Sequence, residues 1–297
     1  MTLTSQERLS SGFPMYVESG ARLLSAIRGM RVEWLGEYWD IVQDLLVQAP
    51  DLPGVRAVWL HGSRAVGSHH DASDLDLTFI VNTAADRFDL SRTLAKVYDY
   101  KPRFVNYFDL APMPFWSVAA GEIGVHIIEN AGVNGRLAAL RVSVDGLEDH
   151  QAFAQHTIVG GVALFDPARL LDDAQHKCAS IPPNLFTGVA YKYLRLLEQK
   201  VTWWAIRPRW KNDFERLSDV AVVVEEIARC HYPLNQRLFM PGMKEYDRDL
   251  RTLQPDIGGE VRQLIELSPQ TSQTGTRNLA TEMIAALRQR FQQNTQG

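Results

Sequence analysis

The stretch Val58–Val81, VWLHGSRAVGSHHDASDLDLTFIV, changes from apolar to polar and back again. The apolar run Ala57–Leu60 stops at Gly62-Ser63, and the polar loop Arg64–Ser73 follows it. The loop leads into Asp74-Leu75-Asp76-Leu77, which opens a second apolar run. This pattern predicts two buried strands that are joined by a loop, with two carboxylates at the start of the second strand.

The two aspartates of this stretch predict a cation site. Alternate residues of a strand point to the same face of the sheet. Asp74 and Asp76 therefore project side by side, while Leu75 and Leu77 enter the core. Parallel carboxylates repel each other unless a cation lies between them, and Mg²⁺ prefers such oxygen ligands together with phosphate oxygens and water.

The glycine and serine before the loop predict a phosphate-binding turn. Gly62 lets the backbone come close to a ligand, Ser63 supplies a hydroxyl, and the amides of the turn can cradle a phosphate. A Gly-Ser turn is common by itself, and so is an Asp-x-Asp pair at a solvated strand end. Joined in this order, the two motifs indicate a site for a nucleoside triphosphate and in-line phosphoryl chemistry.

The stretch LHGSRAVGSHHDASDLDLTFIV resembles the signature of the nucleotidyltransferase superfamily with the DNA polymerase β-type fold. Its resemblance is closest to the small bacterial antibiotic adenylyltransferases. The resemblance implies that Gly62 and Ser63 hold the triphosphate of ATP, and that Asp74 and Asp76 ligate two Mg²⁺ ions. One ion would hold the triphosphate and help the pyrophosphate leave. The other would help activate a hydroxyl of a small-molecule acceptor, such as an antibiotic.

Members of this superfamily usually have a third carboxylate on a later strand, which this sequence does not offer clearly. His126 stands where that aspartate is expected, and a neutral imidazole could accept a proton from a hydroxyl near pH 7. It could equally be a half-buried strand residue with a satisfied hydrogen bond. Asp109 is the second candidate for completing the metal site, and Glu129 is the third. Without any of them, the site would hold one metal ion or be inactive.

Three further basic residues are candidates for binding the phosphates. Arg64 could reach a phosphate or be a surface arginine. Lys192 lies on the first helix of the C-terminal part, where the resemblance implies a basic residue, although most charged helix residues are solvated. Lys244 follows a Pro-Gly turn that is similar to a stretch in the antibiotic-type members. A lysine at a helix start is unfavourable for the helix dipole, which favours a functional role.

The remaining histidines and the cysteines give no independent indication of a metal site. His69 and His70 form an adjacent pair in the polar loop and are predicted to be solvated, while His61 simply precedes the turn. Cys178 and Cys230 are far apart and have no ligand spacing, which predicts buried thiols in a reducing compartment.

Strand and helix patterns alternate in the first part of the chain, and the second part is helical throughout. The predicted strands are Val55–Leu60, Leu75–Val81, Phe104–Leu110, Ile123–Ile128 and a short one within 160–167. The predicted helices of the second part are Leu185–Ala205, Phe214–Tyr232, Lys244–Leu253, Ile257–Leu267 and Thr276–Gln292. We therefore predict an α+β fold, with a small mixed sheet flanked by helices in a nucleotidyltransferase domain at 1–180 and an all-α helical-bundle domain at 181–297.

Composition limits the partners. Lys and Arg together number 31 against 35 Asp and Glu, so the chain lacks the basic excess of most nucleic-acid-binding domains. Trp203, Trp204 and Trp210, interleaved with basic residues, could stack bases, but the near-neutral charge favours core packing and a pocket wall. No signal pattern or membrane-length apolar run is visible, which predicts a cytoplasmic protein. The open alternatives are a protein or RNA acceptor, and a nucleotide-binding module without catalysis.

Overall fold

The computed structural model describes residues 35–69, 73–97, 101–103, 113–118, 121–206, 210, 212–239, 243–266 and 273–296. It divides into two compact units. The first unit joins the described residues up to Gly135 to His156–Lys177, and the second joins Arg136–Gln155 to the chain from Cys178 onward. The predicted division into domains at 1–180 and 181–297 stays a prediction.

One mixed sheet organises the first unit. Its described strands are β1 (Val55–His61), β2 (Leu75–Val81), β3 (Lys101–Arg103), β4 (Met113–Val118), β5 (Gly121–Glu129) and β6 (Val162–Phe165). They follow the order β3-β4-β5-β2-β1-β6 across the sheet. The central pair, β2 and β5, is parallel, and the other neighbouring pairs are antiparallel. The mixed sheet of the predicted fold class is thereby confirmed.

The described helices lie before, between and after these strands. In chain order they are α1 (Trp39–Gln48), α2 (Gly62–Val66), α3 (Ala84–Val97), α4 (Asn130–Ala139), α5 (Val144–Phe153), α6 (Leu170–Ala179), α7 (Pro183–Ile206), α8 (Asp213–Leu234), α9 (Met243–Asp249), α10 (Gly258–Glu266) and α11 (Gln273–Gln296). A π-helix, Ala154–Val159, follows α5.

Strand alternation separates an apolar face of the sheet from a face with polar residues. Leu60 pairs with Leu77 across β1 and β2, and both are fully buried in a core that includes residues of α1 and α3. His61 pairs with Asp76 in the same two strands and therefore lies on the opposite face. The alternation predicted from Asp74 onward is thus present in the structure.

Two strands differ from the sequence-based expectation, and one predicted strand is not described. The pattern gives no sign of β3 or β4, because Pro102 and Pro114 are typical of loops. In the structure Pro102 and Pro114 are backbone partners in the β3–β4 pair, close to strand ends where proline is tolerated. The predicted strand Phe104–Leu110 lies outside the described residues.

Long helices that pack on one another form the second unit. The helix α7 contacts α5, α8 and α11, and α8 also contacts α10 and α11. These helices carry buried apolar side chains, among them Leu197 of α7, Val224 of α8 and Leu287 of α11. The helical character predicted for the C-terminal part is confirmed. Among the described residues, no helix has both the length and the apolar character that crossing a membrane requires.

Acid should destabilise the second unit through His231 of α8. This side chain is buried, its Nδ1 lies 3.1 Å from the hydroxyl of Tyr246, and burial lowers the pKa of His231 to about 4. The unfolded chain protonates an ordinary histidine near pH 6.5, so its stabilising effect is present above that pH and is lost as the pH falls towards 4. We expect the free energy of unfolding to fall by about 3 kcal/mol over this range, measured by urea denaturation at each pH.

The control for this prediction replaces the titrating group. His231→Gln should remove the part of the pH dependence that His231 causes, while the same substitution of the exposed His176 should leave the pH dependence unchanged. Equal acid sensitivity in the wild type and in His231→Gln would show that other groups are responsible.

Candidate functional site

Strand register brings four polar side chains to one face of the sheet. His61 pairs with Asp76 across β1 and β2, and Thr78 pairs with His126 across β2 and β5. Residues that pair in this way point to the same face, and Asp76 and Thr78 alternate along β2. His126 therefore lies on the same face as Asp76, in the next pair along the strands.

A further histidine reaches this face from outside the sheet. His156 belongs to the π-helix Ala154–Val159, and its Nδ1 lies 3.0 Å from the Nδ1 of His61. The ring of His61 also lies edge-on to that of His126, with 5.2 Å between the centroids. One ligand atom each of His61, Asp76 and His156 lies within 4.8 Å of the other two. We name these three residues the histidine–aspartate cluster.

The surroundings of Asp76 disfavour the negative charge of its carboxylate. Burial, and then the negative charge of the exposed Asp74, raise the pKa of Asp76 to about 7. The ionised carboxylate thus lacks enough compensating positive charge within the protein. A cation next to Asp76 would favour its ionised form.

His61 is held in the neutral state. Burial, followed by the charges of His156 and His126, keeps the pKa of His61 well below its usual value. Neutral imidazole is the form that binds metal ions. The Nε2 atom of His61 is buried and has no hydrogen-bond partner among the described residues. The sequence-based view of His61 as a residue that only precedes the turn misses this environment.

Gly62 passes directly against the carboxylate of Asp76. Its φ of +74° lies in the left-handed region that favours glycine. A Cβ at this position would lie 2.3 Å from Oδ2 of Asp76, which is closer than any real contact. The prediction was a close approach of the backbone to a ligand, and the close approach that the structure shows is to Asp76.

Replacing Gly62 by alanine should therefore destabilise the protein by more than the strain of a left-handed backbone alone. We expect Gly62→Ala to lower the free energy of unfolding by about 3 kcal/mol, since the strain of about 1–2 kcal/mol adds to displacement of Asp76. Gly67→Ala is the matched control, because Gly67 is exposed and has a similar φ of +71°. Equal destabilisation of the two variants in chemical denaturation would contradict the contact with Asp76.

Arg64 holds the polar loop instead of lying at the surface. Its side chain is buried, and its guanidinium lies 4.7 Å over the ring of Tyr38. The Nε and one terminal nitrogen donate to the carbonyl oxygen of Ser73 at 3.1 and 2.8 Å, and Nε also lies 3.2 Å from that of Asp74. Arg64 is thus bound to backbone carbonyls, and its predicted contact with a phosphate stays a prediction. Arg64 is a positioning residue for the start of β2.

Ser63 lies at the beginning of the short helix α2 and is half-buried. Its carbonyl oxygen accepts a hydrogen bond from the amide of Ser68 at 2.9 Å, which closes the turn after Gly62. The predicted contact between the Ser63 hydroxyl and a phosphate stays a prediction.

The candidates for the third metal ligand have different positions. Glu129 pairs with Val81, so it points to the opposite face from Asp76 and lies five residues along the strand, about 16 Å away. It also lies 3.8 Å from Arg87 in an ion pair. Asp109 lies outside the described residues. Only His126, of the candidates that the structure describes, shares the face of Asp76.

The two lysines predicted to bind phosphates belong to the second unit. In α7, Lys192 forms an ion pair with Glu148 at 2.5 Å and lies 3.8 Å from Asp145. The hydrogen bond to Glu148 is the largest of the effects that raise the pKa of Lys192. The side chain of Lys244, at the start of α9, lies outside the described residues. Both phosphate contacts stay predictions.

Two of the three tryptophans in 203–210, Trp204 and Trp210, pack against each other. Trp204 is buried and meets the ring of Trp210 edge-on at 5.7 Å, while the indole nitrogen of Trp210 donates to Asp219 at 2.9 Å. Trp203 is exposed. The basic residues interleaved with these rings lie outside the described residues.

The donor atoms around Asp76 suit a divalent cation, but they are not all oxygen atoms. Asp74 and Asp76 supply the carboxylates that suit Mg²⁺. The other donors that the structure brings to Asp76 are the nitrogens of His61 and His156. The position of His61 opposite Asp76 depends on the register of β1 and β2, which the sequence does not show. No sequence signal marks His156.

Residues 44–122 match the family described as "Polymerase beta, Nucleotidyltransferase". This part of the chain is similar to a nucleotidyltransferase domain. The match includes Gly62, Asp74 and Asp76 but ends before His126 and His156. It is a domain of the type that transfers nucleotidyl groups.

Two other comparisons add little to this assignment. Comparison with curated proteins gives no significant match. A solved structure of a nucleotidyltransferase-like protein from Exiguobacterium sibiricum is similar over 86% of this chain and 74% of that chain, with 11% identity and a TM-score of 0.39. A TM-score of this size does not establish a common fold, so the assignment rests on residues 44–122.

Proposed function

We propose that this protein transfers a nucleoside monophosphate, AMP from ATP, to a hydroxyl of a small molecule such as an antibiotic. Pyrophosphate is the second product, and the cytoplasm is the proposed location. The observation that supports this most is the close approach of Gly62 to Asp76, at the point where β1 and β2 pair. That arrangement lies within the residues that match the superfamily.

The proposed roles follow the order of the motif. Gly62 and Ser63 hold the triphosphate, and Asp74 and Asp76 hold the divalent cations, Mg²⁺ in the family pattern. Bound Mg²⁺ would neutralise the triphosphate and make the acceptor hydroxyl easier to deprotonate. Gly62 lets the loop lie close to Asp76, so that the phosphate-binding turn and the carboxylates adjoin.

His126 is the proposed proton acceptor. It lies on the same face as Asp76, and a neutral imidazole can take the proton of the attacking hydroxyl. The hydroxyl oxygen then bonds to the α-phosphorus, while the bond from that phosphorus to the β-phosphate oxygen breaks and pyrophosphate leaves. Lys192 and Lys244 are proposed to contact the phosphates.

The experiment measures pyrophosphate release with each of the four common nucleoside triphosphates, Mg²⁺ and a library of hydroxylated antibiotics. We expect release that depends on both ATP and one class of acceptor, with none when the acceptor is omitted. The absence of turnover for every nucleotide and acceptor would count against the proposal.

A nucleotide-binding module without catalysis is the second candidate. The histidine in place of a third carboxylate favours it, since His126 adds no negative charge to hold a second Mg²⁺. Calorimetry that finds tight ATP binding with no product would support this alternative. Metal-dependent turnover would exclude it.

A protein or RNA acceptor is the third candidate, and the exposed Trp203 is the observation that favours it. Incubation with nucleotide labelled in the α-phosphate, followed by mass spectrometry of proteins and gel analysis of RNA, separates the acceptors. Label that appears only in small molecules would rule this candidate out.

A further inference from the structure

We propose that the histidine–aspartate cluster binds a divalent transition-metal ion of the Zn²⁺ type in preference to Mg²⁺. The inference rests on the proposed function in one respect, because Asp76 is assigned both to the Mg²⁺ site of the transfer reaction and to this cluster. It concerns metal binding alone, however, and can be measured without nucleotide or acceptor.

The chemistry of the donors is the first argument. Mg²⁺ takes oxygen ligands and keeps several waters, whereas imidazole nitrogens suit Zn²⁺ and other late first-row ions. The cluster offers two imidazoles and one carboxylate. This donor set differs from the all-carboxylate site that the superfamily resemblance implies. The change of donor type predicts a change of preferred metal.

The distances within the cluster are the second argument. Ligand atoms that each lie about 2.1 Å from one ion are roughly 3 to 4 Å apart, depending on the angle between them. The Nδ1 atoms of His61 and His156 are 3.0 Å apart, and the ligand atoms of the whole cluster lie within 4.8 Å of one another. These separations are close to those between ligands of a single ion.

The buried ring of His61 is the third argument. A hydrogen bond with His156 can satisfy Nδ1, but Nε2 is buried without a partner among the described residues. Either tautomer then leaves a donor or an acceptor unsatisfied, which costs about 1–3 kcal/mol in a protein interior. A packing role would be better served by an apolar side chain. Metal binding explains why His61, Asp76 and His156 lie together, which packing alone does not explain.

The neighbouring Asp74 would bind a different ion from the cluster. The exposed carboxylate of Asp74 is left for a harder ion with the triphosphate, while the more buried Asp76 faces the histidines. A carboxylate has two oxygens, so Asp76 can serve neighbouring ions, as carboxylates do in two-metal sites. The chain would thus bind two different metals where the family pattern uses one kind.

The test is calorimetric titration of the full-length, chelator-treated protein with Zn²⁺, in the presence of millimolar Mg²⁺ and without nucleotide. We expect one equivalent of Zn²⁺ to bind to the wild type, and His156→Ala to weaken that binding at least tenfold. His156 is preferred to His61 for the main variant, because it is only half-buried and its loss removes less core packing. Circular dichroism confirms that each variant is folded.

His176→Ala is the matched control, since this exposed histidine of α6 lies outside the cluster. It should bind Zn²⁺ as the wild type does. Failure of the wild type to bind Zn²⁺, or equal binding by the wild type and His156→Ala, would overturn the proposal. A Zn²⁺ titration that succeeds while pyrophosphate release fails would leave this inference standing and reject the proposed transfer reaction.

Discussion

Asp76→Asn is expected to lower ATP-dependent pyrophosphate release on the order of 10³-fold, equivalent to about 4 kcal/mol of transition-state stabilisation. The carboxylate is proposed to hold the cation that neutralises the triphosphate, and an amide contributes no charge. Asp76 also lies opposite His61 and against Gly62.

This variant should remain folded. Burial and the charge of Asp74 raise the pKa of Asp76 to about 7, which means that ionised Asp76 is a strained group in the metal-free protein. Replacing it by asparagine should leave the melting temperature at pH 8 unchanged or higher. Asp89→Asn, which changes an exposed carboxylate of α3, is the control and should keep full activity. Full activity in Asp76→Asn would reject the metal role.

Arg64→Met is expected to lower the free energy of unfolding by about 3 kcal/mol. The guanidinium donates to the carbonyl oxygens of Ser73 and Asp74, and hydrogen bonds from a charged group contribute about 1.5–3 kcal/mol. Methionine fills similar space but leaves those oxygens without their donor. Because the loop sets the position of Asp74, pyrophosphate release should also fall at least tenfold.

Two companion variants sharpen this prediction. Arg64→Lys keeps the charge but loses the fork of donors, so it should lie between the wild type and Arg64→Met in urea denaturation. Arg56→Met changes an exposed arginine of β1 and should alter stability by less than about 0.5 kcal/mol. If Arg64→Met were as stable as Arg56→Met, the structural role of Arg64 would be wrong.

The sequence predicts those parts of the site that local rules determine. Strand alternation alone predicts Leu75 and Leu77 in the core and Asp76 on the opposite face, and the structure has this arrangement. The strand alternation depends on neighbours in the chain, which a sequence shows directly. For Gly62 the sequence predicts a close approach of the backbone, but not that Asp76 is the residue approached.

Residues that tertiary packing brings together could not be predicted in the same way. His156 reaches His61 from a π-helix that is far away in the chain, and no spacing rule links the two. Arg64 illustrates a second limit, because a charged residue in a polar loop reads as exposed until its backbone partners are known. Glu129 illustrates a third, because register decides the face of the sheet and register follows from strand pairing.

The most direct test of the central claim is transfer of the labelled α-phosphate from ATP to a hydroxylated acceptor, measured before and after metal removal. Wild-type protein should transfer label and release an equal amount of pyrophosphate. Chelation should abolish the reaction, readdition of a divalent cation should restore it, and Asp76→Asn should not respond to the added metal. Transfer that continues in chelator, or that is equally rapid in Asp76→Asn, would contradict a metal-dependent nucleotidyl transfer at Asp76.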